Sequence, residues 1–174
     1  SRMHETAYLN PALTIIYEDK RGPEVEHIVY HEEEGIIGFV KDLNKKNEVL
    51  HDVVYFKGEQ DGITVEAAFQ YTNEFHENIL GFCNNIFNAE GGTHITGFKT
   101  VFTTVINSYA RELGILKEKD SNFTGADVRN GMTAIVSIKH PDPRFEGQTK
   151  TKLDNQDASR VTAKVTGDEI QLYF

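Results

Sequence analysis

The sequence predicts an α+β fold in which a mostly antiparallel sheet carries one long packed helix. In the first half, short runs rich in Val, Ile, Phe and Tyr alternate with turn residues, a pattern typical of antiparallel strands. In the second half, apolar residues recur at helical spacing over residues 93–113, and one compact apolar strand follows. The length of 174 residues is that of one domain.

Five strands and one short helix are predicted before residue 90. Asp61-Gly62 predicts a tight hairpin turn, and Lys20-Arg21-Gly22-Pro23 predicts another turn nearer the start. Apolar residues at helical spacing after Gly35 predict a helix that ends near Lys46. The predicted strands are residues 13–19, 25–31, 53–59, 63–71 and 78–84.

The Gly91-Gly92 pair separates this half from the long helix, for which Thr93 is a candidate N-cap. Thr124 is predicted to open a short helix that ends at Gly131, ahead of a buried strand over 132–139. The Pro141-Asp142-Pro143 segment cannot continue a sheet, so residues 144–152 are predicted to form a polar loop.

The last stretch of the sequence is harder to assign. Thr166-Gly167 weakens a helix that is predicted to begin near Asp157, so Ile170, Leu172 and Phe174 are expected to be exposed or covered by another molecule. Because a domain rarely ends on such an apolar run, we expect the sequence to be a piece of a longer protein.

The formal net charge of −9 argues against a protein that binds nucleic acid over its whole surface. The charge is uneven: residues 1–92 hold 7 Lys and Arg against 17 Asp and Glu, whereas residues 93–174 hold 11 against 10. Contacts with phosphates are therefore expected from the second half.

The remaining composition excludes several classes. There is no run of eighteen apolar residues, so no transmembrane helix is predicted and no membrane partner is expected. No secretory signal is predicted either, and the single Cys83 fits a reducing, cytoplasmic location and excludes a zinc finger or an iron–sulfur site.

Other candidate motifs are better explained by structure than by chemistry. Gly92–Thr100 resembles a phosphate-binding loop, but Phe98 separates Gly97 from Lys99, so a glycine turn followed by a helix is the preferred interpretation. The seven histidines do not cluster at ligand spacing, and no metal site is predicted. Cys83 and Ser137 lie in apolar strands and are predicted to be packed in the core.

The segment 139–152 carries four Lys and Arg residues after a buried strand that anchors one end. Gln148, Thr149 and Lys150 offer an amide, a hydroxyl and an ammonium, which are donors suited to a phosphoryl group. From these residues alone, a solvated basic loop and a phosphate-recognising loop both stay open.

Four motifs together resemble the B subunit of bacterial DNA gyrase, over essentially the whole chain. They are EGIIGFVKDLN at 34–44, ENILGFCNN at 77–85, EGGTHITGFKT at 90–100 and GMTAIVSIKHPDPRFEGQTKTKL at 131–153. The Gly-Gly-Thr-His and Gln-Thr-Lys motifs are shared with the B subunit of topoisomerase IV, which is therefore the alternative.

The resemblance implies that residues 1–174 form one transducer domain, with 154–174 as the start of the connecting C-terminal helix. It implies a ribosomal-protein-type α/β fold with a left-handed β-α-β crossover. An ATPase domain of the GHKL type would precede this domain and a Toprim domain would follow, so the fragment by itself is expected to bind no ATP or Mg²⁺ and to be inactive.

The resemblance also implies roles for individual residues. Gln148 and Lys150 resemble loop residues that reach the γ-phosphate of ATP in the adjacent ATPase domain, with Lys150 stabilising charge on the transferred phosphoryl group and Thr149 shaping the loop. Lys99 resembles a basic position that lines the cavity for transported DNA, although a solvated helix residue is an equally good interpretation. Arg111 is a further candidate for that cavity.

Partners follow from the same resemblance. They are the ATPase and Toprim domains of the same subunit, a second B subunit, the gyrase A subunit and double-stranded DNA. The expected activity is that of an ATP-hydrolysing type IIA topoisomerase that introduces negative supercoils and needs Mg²⁺. A free-standing nucleic-acid-binding module is the alternative of another class, and the acidic net charge argues against it.

Overall fold

A computed structural model describes residues 15–19, 26–30, 35–146 and 152–172 of the chain. Its elements, in chain order, are β1 (Ile15–Asp19), β2 (Glu26–Tyr30), α1 (Ile36–Leu43), β3 (Val54–Gln60), β4 (Ile63–Tyr71), β5 (Asn78–Cys83), β6 (Ile86–Asn88), α2 (Thr93–Glu112), α3 (Gly125–Arg129), β7 (Met132–Lys139) and α4 (Gln156–Gln171). The α+β class predicted from the sequence is confirmed.

The strands form two sheets among the described residues. The strands β1 and β2 pair with each other in antiparallel fashion, and the larger sheet has the order β3-β4-β7-β5-β6. Its pairs are antiparallel except for β5 and β7, which run parallel and are joined by a crossover that contains α2. A parallel pair needs such a long connection, because its strands must enter the sheet from the same end.

Tight turns set the register of the two hairpins in this sheet. Asp61 and Gly62 both have positive φ and join β3 to β4 as the Asp-Gly pair predicted. Asn84 and Asn85 also have positive φ and turn the chain from β5 into β6, a strand that sequence reasoning missed. The missed signal was the Asn-Asn pair, since asparagine tolerates this backbone region better than most residues.

The core lies on both faces of the sheet. On one face, α2 and α4 pack against inward side chains of β4 and β7, and Phe102 of α2 meets Phe69 of β4 edge-on at a ring distance of 5.1 Å. On the other face, α1 covers a smaller cluster with Ile36, Phe39 and Val40, all of which are buried. Cys83 and Ser137 are buried in the strands, as predicted.

The helix α4 corrects two expectations. It runs without interruption through Thr166 and Gly167, and the side chain of Ile170 is fully buried instead of exposed. Packing against α2 and the sheet overrides the weak helix propensity, because burial of one large aliphatic side chain contributes about 1.5–3 kcal/mol. Leu172, just beyond the helix, is exposed as expected, and Phe174 lies outside the described residues.

The start of α2 also differs from expectation. Gly92, and not Thr93, occupies the N-cap position, and Thr93 is the first helical residue. In contrast, the shorter helix α3 begins as predicted: the Thr124 side chain accepts a hydrogen bond from the Asp127 backbone N–H and the Asp127 side chain accepts one from the Thr124 backbone N–H.

His94 is a buried histidine in the first turn of α2. It is fully buried, and neither ring nitrogen has a hydrogen-bond partner among the described residues. Burial disfavours the charged imidazolium and lowers the pKa of His94 from 6.5 to about 4. Between pH 4 and pH 6.5, His94 therefore binds a proton more readily in the unfolded chain than in the folded one.

We predict that this difference makes the protein less stable as the pH falls from 6.5 towards 4. The His94 contribution is fully present above pH 6.5, and about 2 kcal/mol of it is lost by pH 5. His94→Leu removes the titrating group. Between pH 7.5 and pH 5, the free energy of unfolding measured in urea should therefore fall in both proteins, but by about 2 kcal/mol less in His94→Leu than in the original chain. An equal fall in both proteins would contradict the assignment.

Candidate functional site

The loop with the predicted phosphate-contacting residues lies between β7 and α4. Gln148, Thr149 and Lys150 themselves lie outside the described residues, so the predictions made for them stay predictions. The structure does describe both flanks of that segment, residues 140–146 and 152–155.

The two flanks are paired with each other. The backbone N–H of Glu146 donates to the carbonyl of Lys152 at 2.8 Å, and that of Asp154 donates to the carbonyl of Arg144 at 2.8 Å. Phe145 and Leu153 form an antiparallel bridge between these bonds. The described residues on either side of the segment are therefore held together by backbone pairing.

The second flank is also bonded to the start of α2. The backbone N–H of Leu153 donates to the carbonyl of Gly91 at 3.2 Å, and the backbone N–H of Thr93 donates to the carbonyl of Leu153 at 3.0 Å. We call this pair of bonds, between Leu153 and residues 91–93, the Leu153 junction. It ties the loop directly to the first turn of the longest helix.

Gly92 permits this close approach. A Cβ on Gly92 would lie 2.5 Å from the carbonyl oxygen of Leu153, well inside the contact distance of any side chain. The φ of Gly92 is +144°, a conformation that side-chain-bearing residues rarely adopt. Leu153 itself is buried in the main core cluster.

Buried polar groups hold the first flank. The side chain of Asn155 accepts from the backbone N–H of Arg144 at 2.5 Å and donates to the carbonyl of Asp142 at 3.1 Å. The imidazole of His140 accepts from the backbone N–H of Asp142 through Nδ1, so its Nε2 is left to donate to the Asp157 carboxylate at 2.9 Å. That hydrogen bond lowers the pKa of Asp157. The first flank is thus held by the Asn155 side chain of the second flank and, through His140, by Asp157 of α4.

A second candidate site lies on the outer face of α2. The Lys99 ammonium is 3.5 Å from one carboxylate oxygen of Glu77, and the Arg129 Nε is 2.6 Å from the other. Sequence analysis named Lys99 but missed both partners, since they come from elements more than twenty residues away in the chain. Arg129 is the last residue of α3, and nothing in the neighbouring sequence indicates that it contacts Glu77.

Arg111 is not brought together with Lys99. Twelve residues of helix separate the two, which is about 18 Å along the axis. The Arg111 guanidinium instead donates to the carbonyls of Lys117 and Asp120 and to the side chain of Asn122. Arg111 therefore holds the loop that follows α2.

Three sequence-based expectations can be compared with the described part of the chain. The Gly92–Thr100 segment is a glycine turn that leads into a helix, as preferred. Among the described residues, no group of three or more His, Cys, Asp or Glu side chains is placed to hold a metal ion. No helix in the described ranges is long and apolar enough to cross a membrane.

Solved structures of DNA topoisomerases have the same fold. The 43K ATPase domain of gyrase B from Thermus thermophilus, determined with an aminocoumarin, matches with a TM-score of 0.86 and 32% identity over 99% of this chain and 46% of that one. The topoisomerase IV ATP-binding domain of Francisella tularensis matches with a TM-score of 0.81 and 25% identity over 99% of this chain and 46% of that one. The class is therefore that of the type II topoisomerase subunits.

Sequence comparison defines the family within that class. The family model DNA gyrase B matches residues 35–174. The DNA gyrase B subunit of Enterococcus faecalis is 51% identical over 95% of this chain and 26% of the relative, and that of Bacillus mycoides is 48% identical over 100% of this chain and 43% of the relative. The chain belongs to the DNA gyrase B family, as the motifs indicated, and spans less than half the length of these curated relatives.

We predict that Gly92→Ala breaks the Leu153 junction. The added Cβ must push the Leu153 carbonyl away, so the free energy of unfolding should fall by about 2 kcal/mol more than in Gly62→Ala. Gly62 is a matched control, because it also has positive φ but has open space where its Cβ would be. Urea unfolding gives the stabilities, and hydrogen exchange should show faster exchange at the Thr93 and Leu153 amides in Gly92→Ala only. Equal losses of stability in the two variants would contradict this role for the junction.

Proposed function

We propose that this chain is the transducer domain of a DNA gyrase B subunit. In that role it couples the binding and hydrolysis of ATP in an adjacent ATPase domain to DNA strand passage and negative supercoiling. Two findings support the proposal: membership of the DNA gyrase B family, and a fold match that takes up 46% of a solved chain named as an ATPase domain. That share leaves room in the same polypeptide for a separate nucleotide-binding domain.

The loop residues would act on the nucleotide directly. Lys150 and Gln148 would donate to the γ-phosphate of ATP in the adjacent domain, and Thr149 would shape the loop between them. The Lys150 ammonium would stabilise the negative charge that spreads over the phosphoryl oxygens during transfer, without acting as a base. The ligands of Mg²⁺ and the residue that orients water are assigned to the ATPase domain.

The Leu153 junction is the observation that carries the coupling proposal. When the loop is tied to the γ-phosphate, its second flank is bonded at the same time to residues 91–93 at the start of α2. Loss of the γ-phosphate after hydrolysis removes one of these two attachments. The transducer can then shift relative to the ATPase domain, and α2 shifts with the flank.

The partners belong to the same proposal. They are the ATPase and Toprim domains of the subunit, a second B subunit, gyrase A and double-stranded DNA, which Lys99 would contact. The ATP-binding domain of a topoisomerase IV has a similar fold, but relatives that are 45–51% identical to this chain are named as gyrase B subunits. A free-standing nucleic-acid module is less well supported than membership of this family.

Lys150→Ala tests the loop assignment, in a polypeptide that joins this chain to its ATPase domain. We expect the kcat of ATP hydrolysis to fall by about 10²–10³, because one charge-stabilising donor is lost in the transition state. The Kd of a nonhydrolysable nucleotide should change by less than about tenfold, since most binding contacts lie in the other domain.

Lys152→Ala is the control for this experiment. Lys152 lies two residues further along the same loop and forms a half-exposed ion pair with Glu146 at 3.3 Å, so its removal takes away the same charge from the same region. Its kcat should stay within about twofold of the original value. Unchanged turnover in Lys150→Ala would make residues 144–152 an ordinary basic loop, and equal losses in the two variants would contradict a specific role for Lys150.

Lys99→Glu tests the DNA contact in the assembled enzyme. Reversal of this charge should reduce DNA supercoiling by about tenfold or more, whereas ATP hydrolysis without DNA should stay within about twofold. Lys164→Glu is the matched control, because Lys164 is also a helix lysine with a carboxylate partner, Asp168 at 3.0 Å. A parallel loss of DNA-independent ATP hydrolysis in Lys99→Glu, or an equal loss of supercoiling in the control, would reject the DNA assignment.

A further inference from the structure

One carboxylate holds two cations on the outer face of α2. Glu77 accepts from Arg129 at 2.6 Å through one oxygen and lies 3.5 Å from the Lys99 ammonium through the other. The three side chains are partly buried: about 17% of Arg129, 32% of Lys99 and 35% of Glu77 is exposed. We call these three residues the Glu77 cluster.

Three separate elements build this cluster. Glu77 immediately precedes β5, Lys99 lies in the second turn of α2, and Arg129 is the last residue of α3. Gly125 leaves space for the arginine, because a Cβ there would lie 2.5 Å from the Arg129 Nη1. The guanidinium is therefore held against its own helix with its Nε directed at Glu77.

The charges of the cluster do not cancel. One carboxylate faces two cations, which leaves one positive charge in a chain whose formal net charge is −9. The shallow groove beside Lys99 and Arg129 is lined by threonines and, among the described residues, by no further charged side chain. Its lining residues are Thr96, Lys99, Thr100, Thr103, Thr104, Gly125 and Arg129. An anion that entered this groove would therefore be beside an excess of one positive charge.

We propose that Arg129 and Lys99 together form a contact for a DNA phosphate, and that Glu77 is its built-in competitor, which the phosphate displaces. This inference rests on the proposed DNA contact of Lys99 and adds to it a second cation and an internal anion. The ligand is a phosphodiester of double-stranded DNA, because its oxygens present the same charge and acceptor geometry as the Glu77 carboxylate.

Exchange of one anion for another is energetically accessible here. Partly exposed ion pairs contribute little net stability, so release of Glu77 to solvent costs little. The guanidinium is already oriented, so less side-chain entropy is lost when it binds a phosphate. Glu77 thereby keeps the affinity for DNA low, which suits a strand that must be released after each passage.

The test measures binding of a duplex of about 20 base pairs to this chain at about 50–200 mM salt. Glu77→Gln should raise the affinity roughly five- to tenfold at the lowest salt, because a like charge is removed from beside the phosphate. The slope of log K against log salt should steepen by about one, the value expected for one additional neutralised phosphate. Arg129→Gln introduced into Glu77→Gln should reverse both changes.

Asp61→Asn is the matched control. It removes the same charge from the chain and frees another arginine, Arg160, which lies 2.8 Å from Asp61 in an exposed ion pair. If Asp61→Asn raises the affinity as much as Glu77→Gln does, the effect is one of net charge and the proposal is wrong. The proposal is also wrong if Arg129→Gln leaves the raised affinity unchanged.

Urea unfolding separates these outcomes from misfolding. Glu77→Gln should keep its unfolding midpoint close to that of the original chain, since the pairs lost are partly exposed and the glutamine oxygen can still accept from Arg129. If the midpoint of Glu77→Gln shifts, Arg129→Lys in the original chain gives the second measurement. Lysine keeps the charge but lacks the forked donors of arginine, so this variant should bind DNA more weakly. Unchanged binding would overturn the proposal. None of these measurements involves ATP turnover, so their failure is distinct from failure of the Lys150 assignment.

Discussion

The Leu153 junction is the contact on which the rest of the arrangement depends. Two backbone hydrogen bonds join Leu153 to Gly91 and Thr93, and they form only because Gly92 has no side chain. Leu153 at the same time bridges to Phe145 on the other flank of the loop. One buried residue therefore sets the position of both the loop base and the first turn of α2.

The junction places two candidate sites on one rigid element. Lys99 lies six residues beyond Thr93, about 9 Å along the axis of α2. The same helix is buried against the sheet and α4 through Phe98, Phe102 and Val105, so it moves as a body together with them. A displacement of the loop base is therefore passed to the Glu77 cluster as a shift of the helix and not as local bending. In the proposed function, this connection would let a contact with nucleotide at one end alter a contact with DNA at the other.

The sequence predicted what depends on local chemistry and missed what depends on packing. The Asp61-Gly62 hairpin, the long helix and the capped start of α3 follow from turn residues, periodicity and capping, and the structure has all three. The continuation of α4 to Ile170 was not predictable in this way, because the buried contacts that stabilise it come from α2 and the sheet. The Glu77 cluster was missed for the same reason: its members share no spacing in the sequence. The donors of residues 148–150 were visible in the sequence, but only the family resemblance favoured a phosphate contact over a solvated loop, and those residues lie outside the described ranges.

The acidic balance of the chain is compatible with a role at DNA when charge is considered locally. At physiological salt the Debye length is about 8 Å, so a phosphate beside α2 responds to Lys99, Arg129 and Glu77 and hardly to the acidic residues of the far side. Within the Glu77 cluster the sum is +1, whereas the chain as a whole carries −9. The remote negative charge opposes adhesion to DNA over the whole surface, and the local excess favours contact at one place. A domain with the proposed role, which would let a duplex through and not retain it, needs both properties, and Glu77 limits the local excess to a single charge.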